Sequence, residues 1–413
     1  MNRIRSKLVR AGVALALAAA LPVLAQQNVP FNNGIPVAPE GISHKPLGTG
    51  PFDYQTAEGQ NIRVEVLTRD VEFPYSMAFL PDGTMLIAER AGRLRIFKDG
   101  KLDPRPVQGA PQALMRGEPG LPGSIHGYLN VAVHPDFARN HLIYIAYTKA
   151  LDAERNGVAV ARARLEGDRL TEVKDVLSAE ENLRGATALA LTTDGKLWIA
   201  TSASSGDGPQ RGDNLGGKVL RLNDDGSIPD DNPFVGLQNF RGEIYTLGHR
   251  SSLGLTVHAP SQTVYLSEMG PNGGDEINVI APGRNYGWPL VSYGRTYQGP
   301  WQSSADRPGH AGYEPPSVYW TPSISVSGLN FYTGDKLPKW RGDLFVAGLR
   351  YGEIPGTGRV DRILFNQDMQ ELRRETLLDD LGQRIRDVKQ GPDGYLYVST
   401  DEKQGAIMRI GPR

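Results

Sequence analysis

The sequence predicts an all-β protein built as a six-bladed β-propeller. A tight turn, usually with Asp and Gly, precedes a short apolar strand six times, and this combination is a strong hairpin signal. The copies are roughly 50 to 80 residues apart, which leaves room for about four strands each, and four-stranded sheets repeated radially form a propeller. The six copies are LPDGTMLIAER (80–90), HPDFARNHLIYIAYT (134–148), TTDGKLWIATS (192–202), APSQTVYLSE (259–268), WRGDLFVAGL (340–349) and GPDGYLYVST (391–400).

The main alternative fold is a two-sheet sandwich with coincidental Asp-Gly turns. Roughly 350 residues are too many for one sandwich, which favours the propeller. The segment IRVEVLTRD (62–70) alternates apolar and polar residues as a strand does. We expect it to close the ring beside the C-terminal AIMRI (406–410).

The N-terminus has the pattern of a secretory signal. A basic start is followed by the apolar run AGVALALAAALPVLA (11–25), which ends in a small-residue cleavage site after Ala25. The alternative is a retained anchor helix. We therefore expect a signal peptide (1–25), an N-terminal arm rich in Gln, Asn, Pro and Gly (26–60) and a propeller (61–413). Such a chain is expected to be periplasmic or secreted, with no membrane span in the mature protein.

The composition excludes several classes of function. The chain has no cysteine, so thiol catalysis, thiolate metal sites, iron–sulfur clusters and a lipid anchor on Cys are excluded. Its formal net charge is −1, which gives no indication of a nucleic acid or an anionic membrane as partner. No Cys-x-x-Cys-His haem motif is present either, so a redox activity would need a separate electron acceptor.

The stretch SEMGPNGGDEINVIAPGRNYGWP (267–289) has a composition that no ordinary helix or strand favours. It contains five glycines and three carboxylates in 23 residues. Backbone carbonyls of a Gly-Pro loop and nearby carboxylates are the hard oxygen ligands that Ca²⁺ takes. The alternative is a plain Gly-rich turn with solvated acids.

Several other residues are candidates for ligand contacts. Arginines lie at strand ends, and two at i and i+2 would point to one face of a strand, which suits a polyanionic ligand. The alternative for them is a rim of salt bridges. Trp320 is either a stacking platform for a planar ring or a core residue. His126 directly precedes an inner-strand pattern. The arginines are Arg250, Arg350, Arg384 and Arg386.

These motifs together resemble the soluble six-bladed quinoprotein dehydrogenases that use pyrroloquinoline quinone (PQQ). That group includes soluble glucose dehydrogenase and the aldose sugar dehydrogenases of the glucose/sorbosone dehydrogenase family. The resemblance spans nearly all of residues 62–411. It rests on LNVAVHPDF (129–137), GGKVLRLNDDGSIPDDNPF (216–234), IYTLGHR (244–250), the stretch 267–289, YWTPSI (319–324) and RIRDVKQGPDGYLYVSTDE (384–402).

The resemblance implies a cofactor site and a reaction. The carbonyls of Gly270 and Pro271 would bind the Ca²⁺ that also ligates the quinone, and Glu276 with the segment around Tyr286 would form a second, structural calcium site. Trp320 matches an aromatic residue packed against the cofactor plane. The cofactor's carboxylates and carbonyls would be contacted by Arg250, Arg350, Arg384 and Arg386.

The implied reaction oxidises the C1 hydroxyl of a sugar to a lactone. A general base takes the hydroxyl proton while hydride passes to the quinone, and Arg250 with Ca²⁺ stabilises the developing charge. The implied substrate is a sugar or alcohol, and members of the family are monomers or homodimers.

The sequence departs from the family pattern on the substrate side. The family's histidine base corresponds to Arg184, which cannot act as a base near neutral pH. A family Arg is Ala188, and a family Asn is Ser251. A Gln near the cofactor corresponds to Ile125, and a His or Gln before Gly-Pro corresponds to Met269. His126 directly follows the lost Gln and is our candidate for the base.

Three hypotheses follow from this pattern. The first is a PQQ-dependent dehydrogenase with an altered base and substrate pocket. The second is a propeller that binds the quinone or a sugar without turnover. The third is a calcium-dependent lactonase or related hydrolase. Loss of a general base typically costs about 10²- to 10⁴-fold in rate, so the first hypothesis includes a slow enzyme.

Overall fold

The computed structural model describes residues 45–115, 125–295 except 182, 184 and 204, and 307–413, together with the backbone of 31–32 and 35–36. The predicted signal peptide and the position of Arg184 therefore lie outside the described residues. No helix of the described residues is long and apolar enough to cross a membrane.

The prediction of an all-β, six-bladed propeller is confirmed. Six antiparallel sheets follow one another along the chain, and we number them as blades 1 to 6. From the innermost strand outwards, blade 1 is Pro74–Phe79, Met85–Glu89, Arg93–Lys98 and Lys101–Leu102; blade 2 is Tyr128–Val133, Leu142–Ala150, Asn156–Glu166 and Arg169–Ser178; blade 3 is Thr187–Leu191, Leu197–Thr201, Lys218–Leu222 and Ile244–Leu247; blade 4 is Ser251–His258, Thr263–Met269, Asp275–Val279 and Val318–Trp320; blade 5 is Val326–Phe331, Leu344–Gly348, Arg359–Phe365 and Glu371–Leu377; blade 6 is Ile385–Gln390, Leu396–Thr400, Gly405–Pro412, Ile62–Val71 and Phe52–Tyr54.

The other elements of the described residues are short. They are the strand pairs Phe31–Asn32 with Ile35–Pro36 and Val291–Ser292 with Arg307–Pro308, the α-helix Phe137–Asn140, and the 3₁₀ turns Ala57–Gly59, Gly208–Gln210, Pro338–Trp340 and Asp379–Leu381.

Blade 6 closes the ring with strands from both ends of the chain. The C-terminal strand Gly405–Pro412 pairs antiparallel with Ile62–Val71, as the sequence predicts. Phe52–Tyr54 adds a fifth strand outside this pair, so the last part of the predicted arm lies along the edge of blade 6. The side chain of the buried Asp387 also joins blade 6 to blade 1, because its Oδ2 accepts a hydrogen bond from the Met77 amide at 2.8 Å.

The apolar cores lie between neighbouring blades. Alternate residues of each strand pack against the next sheet, as in the core that blades 5 and 6 share. Trp340, Phe345, Val388 and Met408 are fully buried there. Complete burial of an aliphatic or aromatic side chain contributes about 1.5–3 kcal/mol, so these layers stabilise a chain that has no cysteine and therefore no disulfide.

The six innermost strands adjoin one another in a closed ring around the channel. The six sequence repeats are the second strands of the blades, which run antiparallel to the innermost ones. Residues that precede an innermost strand and residues that follow a second strand therefore meet at one end of the channel, which we call the site end.

Candidate active site

A cluster of three arginines and one aspartate occupies the site end between blades 6 and 1. Arg386 donates to Asp401 Oδ2 at 2.5 Å, and Arg384 donates to the same oxygen at 3.2 Å. The Arg90 guanidinium lies 3.6 Å from Asp401 Oδ1. Arg90, Arg386 and Asp401 are each only 3% exposed. Three guanidinium groups therefore share a carboxylate in a buried position.

The charges of this cluster favour a further anion. Burial alone would raise the pKa of Asp401, but the guanidinium groups of Arg386, Arg384 and Arg90 outweigh it and hold that pKa below the usual range of a carboxyl group. The ionised Asp401 balances one of the three positive charges. Because an uncompensated charge is costly in a buried site, the arrangement suits a ligand with carboxylates.

Arg250 also lies at the site end and is held in place by its neighbours. Its Nη1 donates to the Met269 carbonyl at 2.8 Å, and its backbone amide donates to Glu268 at 3.2 Å. The guanidinium lies 5.2 Å from the centroid of the Trp288 ring, and the residue is 7% exposed. The backbone carbonyl of Arg250 accepts from the Ala203 amide at 2.7 Å, which ties it to blade 3.

Arg350 and Trp320 lie outside the cluster formed by the three arginines and Asp401. Arg350 follows the second strand of blade 5 at the site end, where its half-exposed side chain forms an ion pair with Glu353. Trp320 is buried between blades 4 and 5. Its indole N–H donates to Asp361 at 2.8 Å, and the Arg374 guanidinium lies 4.6 Å from its ring. Both partners belong to outer strands of blade 5, so the Trp320 ring does not meet the arginine cluster.

The Gly-Pro loop, residues 270–274, is fixed by a buried carboxylate. Asp275 Oδ1 accepts from the Gly270 amide at 3.1 Å. Its Oδ2 accepts from the Val326 amide at 3.0 Å and from the Ser323 hydroxyl at 2.7 Å, so it joins the loop to the start of blade 5. Burial raises the pKa of Asp275 to about 6, although these hydrogen bonds oppose the rise.

Close backbone contacts explain the glycines of this loop. A Cβ on Gly270 would lie 2.2 Å from the Gly273 carbonyl oxygen, and a Cβ on Gly274 would lie 2.4 Å from the Gly294 nitrogen. The loop therefore folds back on itself with several carbonyl groups crowded together. The Pro271 carbonyl accepts from the Arg295 amide at 2.8 Å and keeps a second lone pair. Such a loop fits the oxygen ligands of a calcium ion.

Glu276 and Tyr286 belong to a buried polar network in blade 4. Glu276 binds His310 Nε2 at 2.8 Å and accepts from Asn278 at 3.2 Å. Burial raises the pKa of Glu276 to about 6, and the hydrogen bond with His310 opposes this rise. The Tyr286 ring stacks on His249 at 4.5 Å. Among the described residues, no group of three or more His, Asp or Glu side chains is arranged to hold a metal ion.

His126 lies at the site end and is 5% exposed. It precedes Gly127, which has a positive φ of 89°, and a Cβ on that glycine would lie 1.9 Å from the Arg90 carbonyl oxygen. The Thr148 amide donates to the Gly127 carbonyl at 3.0 Å. The backbone beside His126 is thus packed against the arginine cluster, which brings this imidazole to the same end as Arg250.

Sequence reasoning missed three residues of the site end: Arg90, Asp401 and Tyr75. Arg90 and Asp401 directly follow the second strands of blades 1 and 6, and Arg350 lies two residues beyond the second strand of blade 5. Superposing the six repeats would have found them. Tyr75, whose ring lies 4.4 Å from the Arg386 guanidinium, has no such signal because it lies within an apolar strand.

Known proteins are similar to this chain in sequence and in fold. Residues 71–409 match the family described as glucose/sorbosone dehydrogenase. The aldose sugar dehydrogenase YliI of Escherichia coli K12 is 38% identical over 363 residues, which cover 85% of this chain and 93% of that protein. Quinoprotein glucose dehydrogenase B of Acinetobacter calcoaceticus is 30% identical over 275 residues, which cover 59% of this chain and 55% of that protein.

A solved structure gives the same result. The soluble aldose sugar dehydrogenase of Escherichia coli, crystallised in the apo form, superposes with a TM-score of 0.76 at 37% identity and covers 85% of this chain and 100% of that chain. Since the family match spans nearly the whole propeller, this chain belongs to the glucose/sorbosone dehydrogenase family.

Proposed function

We propose that this protein is a PQQ-dependent oxidoreductase that oxidises the C1 hydroxyl of an aldose, or the hydroxyl of a related alcohol. The observation that supports it most is the group of three arginines around Asp401 at the site end. PQQ has three carboxylates, and guanidinium groups bind carboxylates in a bidentate manner. Family membership supports the same activity, since relatives are named as an aldose sugar dehydrogenase and a quinoprotein glucose dehydrogenase.

Different residues of the site end would bind the quinone and the Ca²⁺. Arg384 and Arg386 would hold the carboxylates of the quinone, and Arg350 would reach it after exchanging its pairing with Glu353. The carbonyls of Gly270 and Pro271 would hold Ca²⁺. The bound quinone with its Ca²⁺ supplies a polarised carbonyl that accepts hydride.

The proton of the substrate hydroxyl needs a base, and His126 is the candidate. A neutral imidazole accepts a proton at one ring nitrogen, whereas the arginine at position 184 cannot. Arg250 would donate to the oxygen on which negative charge develops, and its contacts with Met269 and Glu268 keep it oriented. Proton removal by His126, together with loss of the C1 hydride, would convert the C1 hydroxyl of an aldose into the carbonyl of a lactone.

A specific substitution favours a second candidate, a propeller that binds the quinone or a sugar without turnover. The sequence predicts that Arg184 stands at the position of the family's histidine, and loss of a base typically costs about 10²- to 10⁴-fold in rate. The two candidates differ in one observable quantity, the reduction of bound quinone by a donor.

Substitutions of the two candidate positions distinguish these functions. His126→Gln keeps the size of the side chain and removes the base, so we expect kcat to fall about 10²-fold or more while quinone binding is retained. Arg184→His should raise kcat. The measurement is sugar-dependent dye reduction beside the absorption spectrum of bound quinone. If the wild-type protein binds quinone and no sugar or alcohol reduces the bound quinone, the binding function is favoured.

The cellular setting is part of the proposal. The predicted signal peptide supports export to the periplasm or beyond. Electrons would leave to a separate acceptor, because the chain has no cysteine to attach a haem. We expect a monomer or a homodimer, and native mass spectrometry of the mature protein measures this directly.

A further inference from the structure

A small apolar cluster at the site end draws its members from four blades. Its buried members are 2–6% exposed, and two half-buried side chains pack against them. Because the members belong to blades 1, 2, 3 and 4, they meet at the channel. We call these residues the apolar wall: Tyr75, Ile125, Ala186, Leu253 and Met269.

The apolar wall adjoins the groups that would bind the cofactor. The Tyr75 ring lies 4.4 Å from the Arg386 guanidinium. The Met269 carbonyl accepts from Arg250 at 2.8 Å, and Ile125 precedes His126 in the chain. A substrate whose hydroxyl lies between Arg250 and His126 would therefore place part of its carbon skeleton against this wall.

The hydroxyl of Tyr75 is the one polar side-chain group of the wall. Tyr75 is 3% exposed, and within the described residues its buried hydroxyl has no hydrogen-bond partner. Buried polar groups in folded proteins are normally paired, so an unpaired donor at a binding site indicates a ligand atom or water. The remaining members of the wall offer only hydrocarbon and a thioether.

We propose that the apolar wall restricts the substrate to sugars or alcohols that present a sparsely hydroxylated face, with the Tyr75 hydroxyl giving a single hydrogen bond. This inference rests on the proposed function. An aldose has a hydroxyl on almost every carbon, and each one buried against hydrocarbon would lose its hydrogen bonds to water. A deoxy sugar has one hydroxyl fewer, so it loses fewer hydrogen bonds to water. Apolar pockets discriminate by about 10- to 100-fold on such differences.

The first experiment compares matched pairs of sugars. Glucose with 6-deoxyglucose and galactose with 6-deoxygalactose are titrated by calorimetry into protein carrying Ca²⁺ and quinone that has been reduced beforehand, so that no turnover occurs. Dye reduction then gives kcat/KM for the same pairs. We expect the deoxy sugar of at least one pair to bind about 10-fold more tightly.

Polar replacements in the wall should abolish this preference. In Met269→Gln and Ile125→Gln, the ratio of the Kd of the parent sugar to the Kd of the deoxy sugar is expected to fall about 10-fold, to about 1. Both variants are titrated as protein whose absorption spectrum shows bound quinone. Leu237→Gln, at a side chain that is 52% exposed on blade 3, is the matched control and should change nothing. Equal or tighter binding of the parent sugars, or a ratio that these variants leave unchanged, would overturn the proposal.

Tyr75→Phe tests the hydroxyl separately. It keeps the ring beneath Arg386, so we expect the Tm of the ligand-free protein to stay the same or rise, and the Kd of the preferred sugar to increase about 5-fold. A lower ligand-free Tm with an unchanged Kd would make the hydroxyl a structural group and refute its role. If quinone itself does not bind, the proposed function fails, and this inference fails with it. If quinone binds and parent sugars are preferred, only this inference fails.

Discussion

Asp401 is the carboxylate that partly compensates the positive charges at the site end. It accepts from Arg384 and Arg386 and faces Arg90, and it is almost fully buried. Removing one partner of a buried ion pair costs about 3–5 kcal/mol, because the remaining charges stay buried without compensation. Asp401 is thus both a structural residue and the one that sets the charge of the site.

Asp401→Asn is expected to lower the free energy of unfolding by about 3 kcal/mol at pH 7. The pKa of Asp401 is lower in the folded protein than in the unfolded chain, so its contribution is present above about pH 4 and is lost as the pH falls further. Urea unfolding of both proteins between pH 7 and about pH 2.5 measures this. Asp168→Asn, at an exposed side chain, is the control. A difference between wild type and Asp401→Asn that does not shrink in acid would contradict the assignment.

Individual residues of the site were only partly predictable from the sequence. Arg250, Arg384 and Arg386 could be located because they lie at the ends of recognisable strands. Arg90 and Asp401 escaped notice because an arginine or aspartate after a strand usually lies on a solvated rim. The sequence allowed Trp320 to be a stacking platform or a core residue. The structure places its ring in the core between blades, where its indole N–H donates to Asp361.

At the scale of elements, the loop at residues 270–274 has a tightly folded backbone that requires glycine at positions 270 and 274. Gly270 is followed by Asp275, whose carboxylate holds both this loop and the start of blade 5. The composition of the loop was visible in the sequence. Its geometry was not, because the close approach of the Gly273 carbonyl to Gly270 depends on tertiary contacts, among them the hydrogen bonds of Asp275 to Gly270 and to the start of blade 5.

Gly270→Ala is expected to destabilise the protein by at least about 2 kcal/mol and to weaken Ca²⁺ binding, because the new Cβ would lie 2.2 Å from the Gly273 carbonyl oxygen. Gly273→Ala is the matched control in the same loop. Its φ of 116° strains an alanine by about 1–3 kcal/mol, but the nearest atom to the new Cβ would be 3.7 Å away, so the carbonyl groups of the loop are not displaced and Ca²⁺ binding should be retained. Thermal unfolding with and without Ca²⁺ measures both effects. Equal losses of Ca²⁺ binding in the two variants would argue against the close contact.

For the whole molecule, ring closure depends on pairing the two ends of the chain. Gly405–Pro412 lies between Leu396–Thr400 and Ile62–Val71 in blade 6. The alternation in 62–70 made this closure predictable, and the six repeats made the number of blades predictable. The strand Phe52–Tyr54 in the predicted arm could not be predicted from the sequence, because it is a strand only through its pairing with the edge of blade 6.

Truncation after Gln404 should abolish cooperative unfolding. It removes the strand that joins Ile62–Val71 to the rest of blade 6, together with the buried side chains of Ile407, Met408 and Ile410. Truncation after Pro412 removes only the exposed terminal Arg413 and is the control. Circular dichroism during heating tests the pair, and a sharp transition in the shorter chain would show that the ring does not depend on this closure.

The measurement that tests the central claim most directly is the absorption spectrum of the purified protein with added Ca²⁺ and PQQ, recorded before and after an aldose or deoxy aldose. We predict that the quinone binds and is then reduced, and that Arg384→Gln, whose native side chain is about one-third exposed and not essential to the core, weakens this binding at least about 10-fold. A protein that leaves the spectrum of the quinone unchanged would contradict the account, since the arginines around Asp401 would then serve a different ligand.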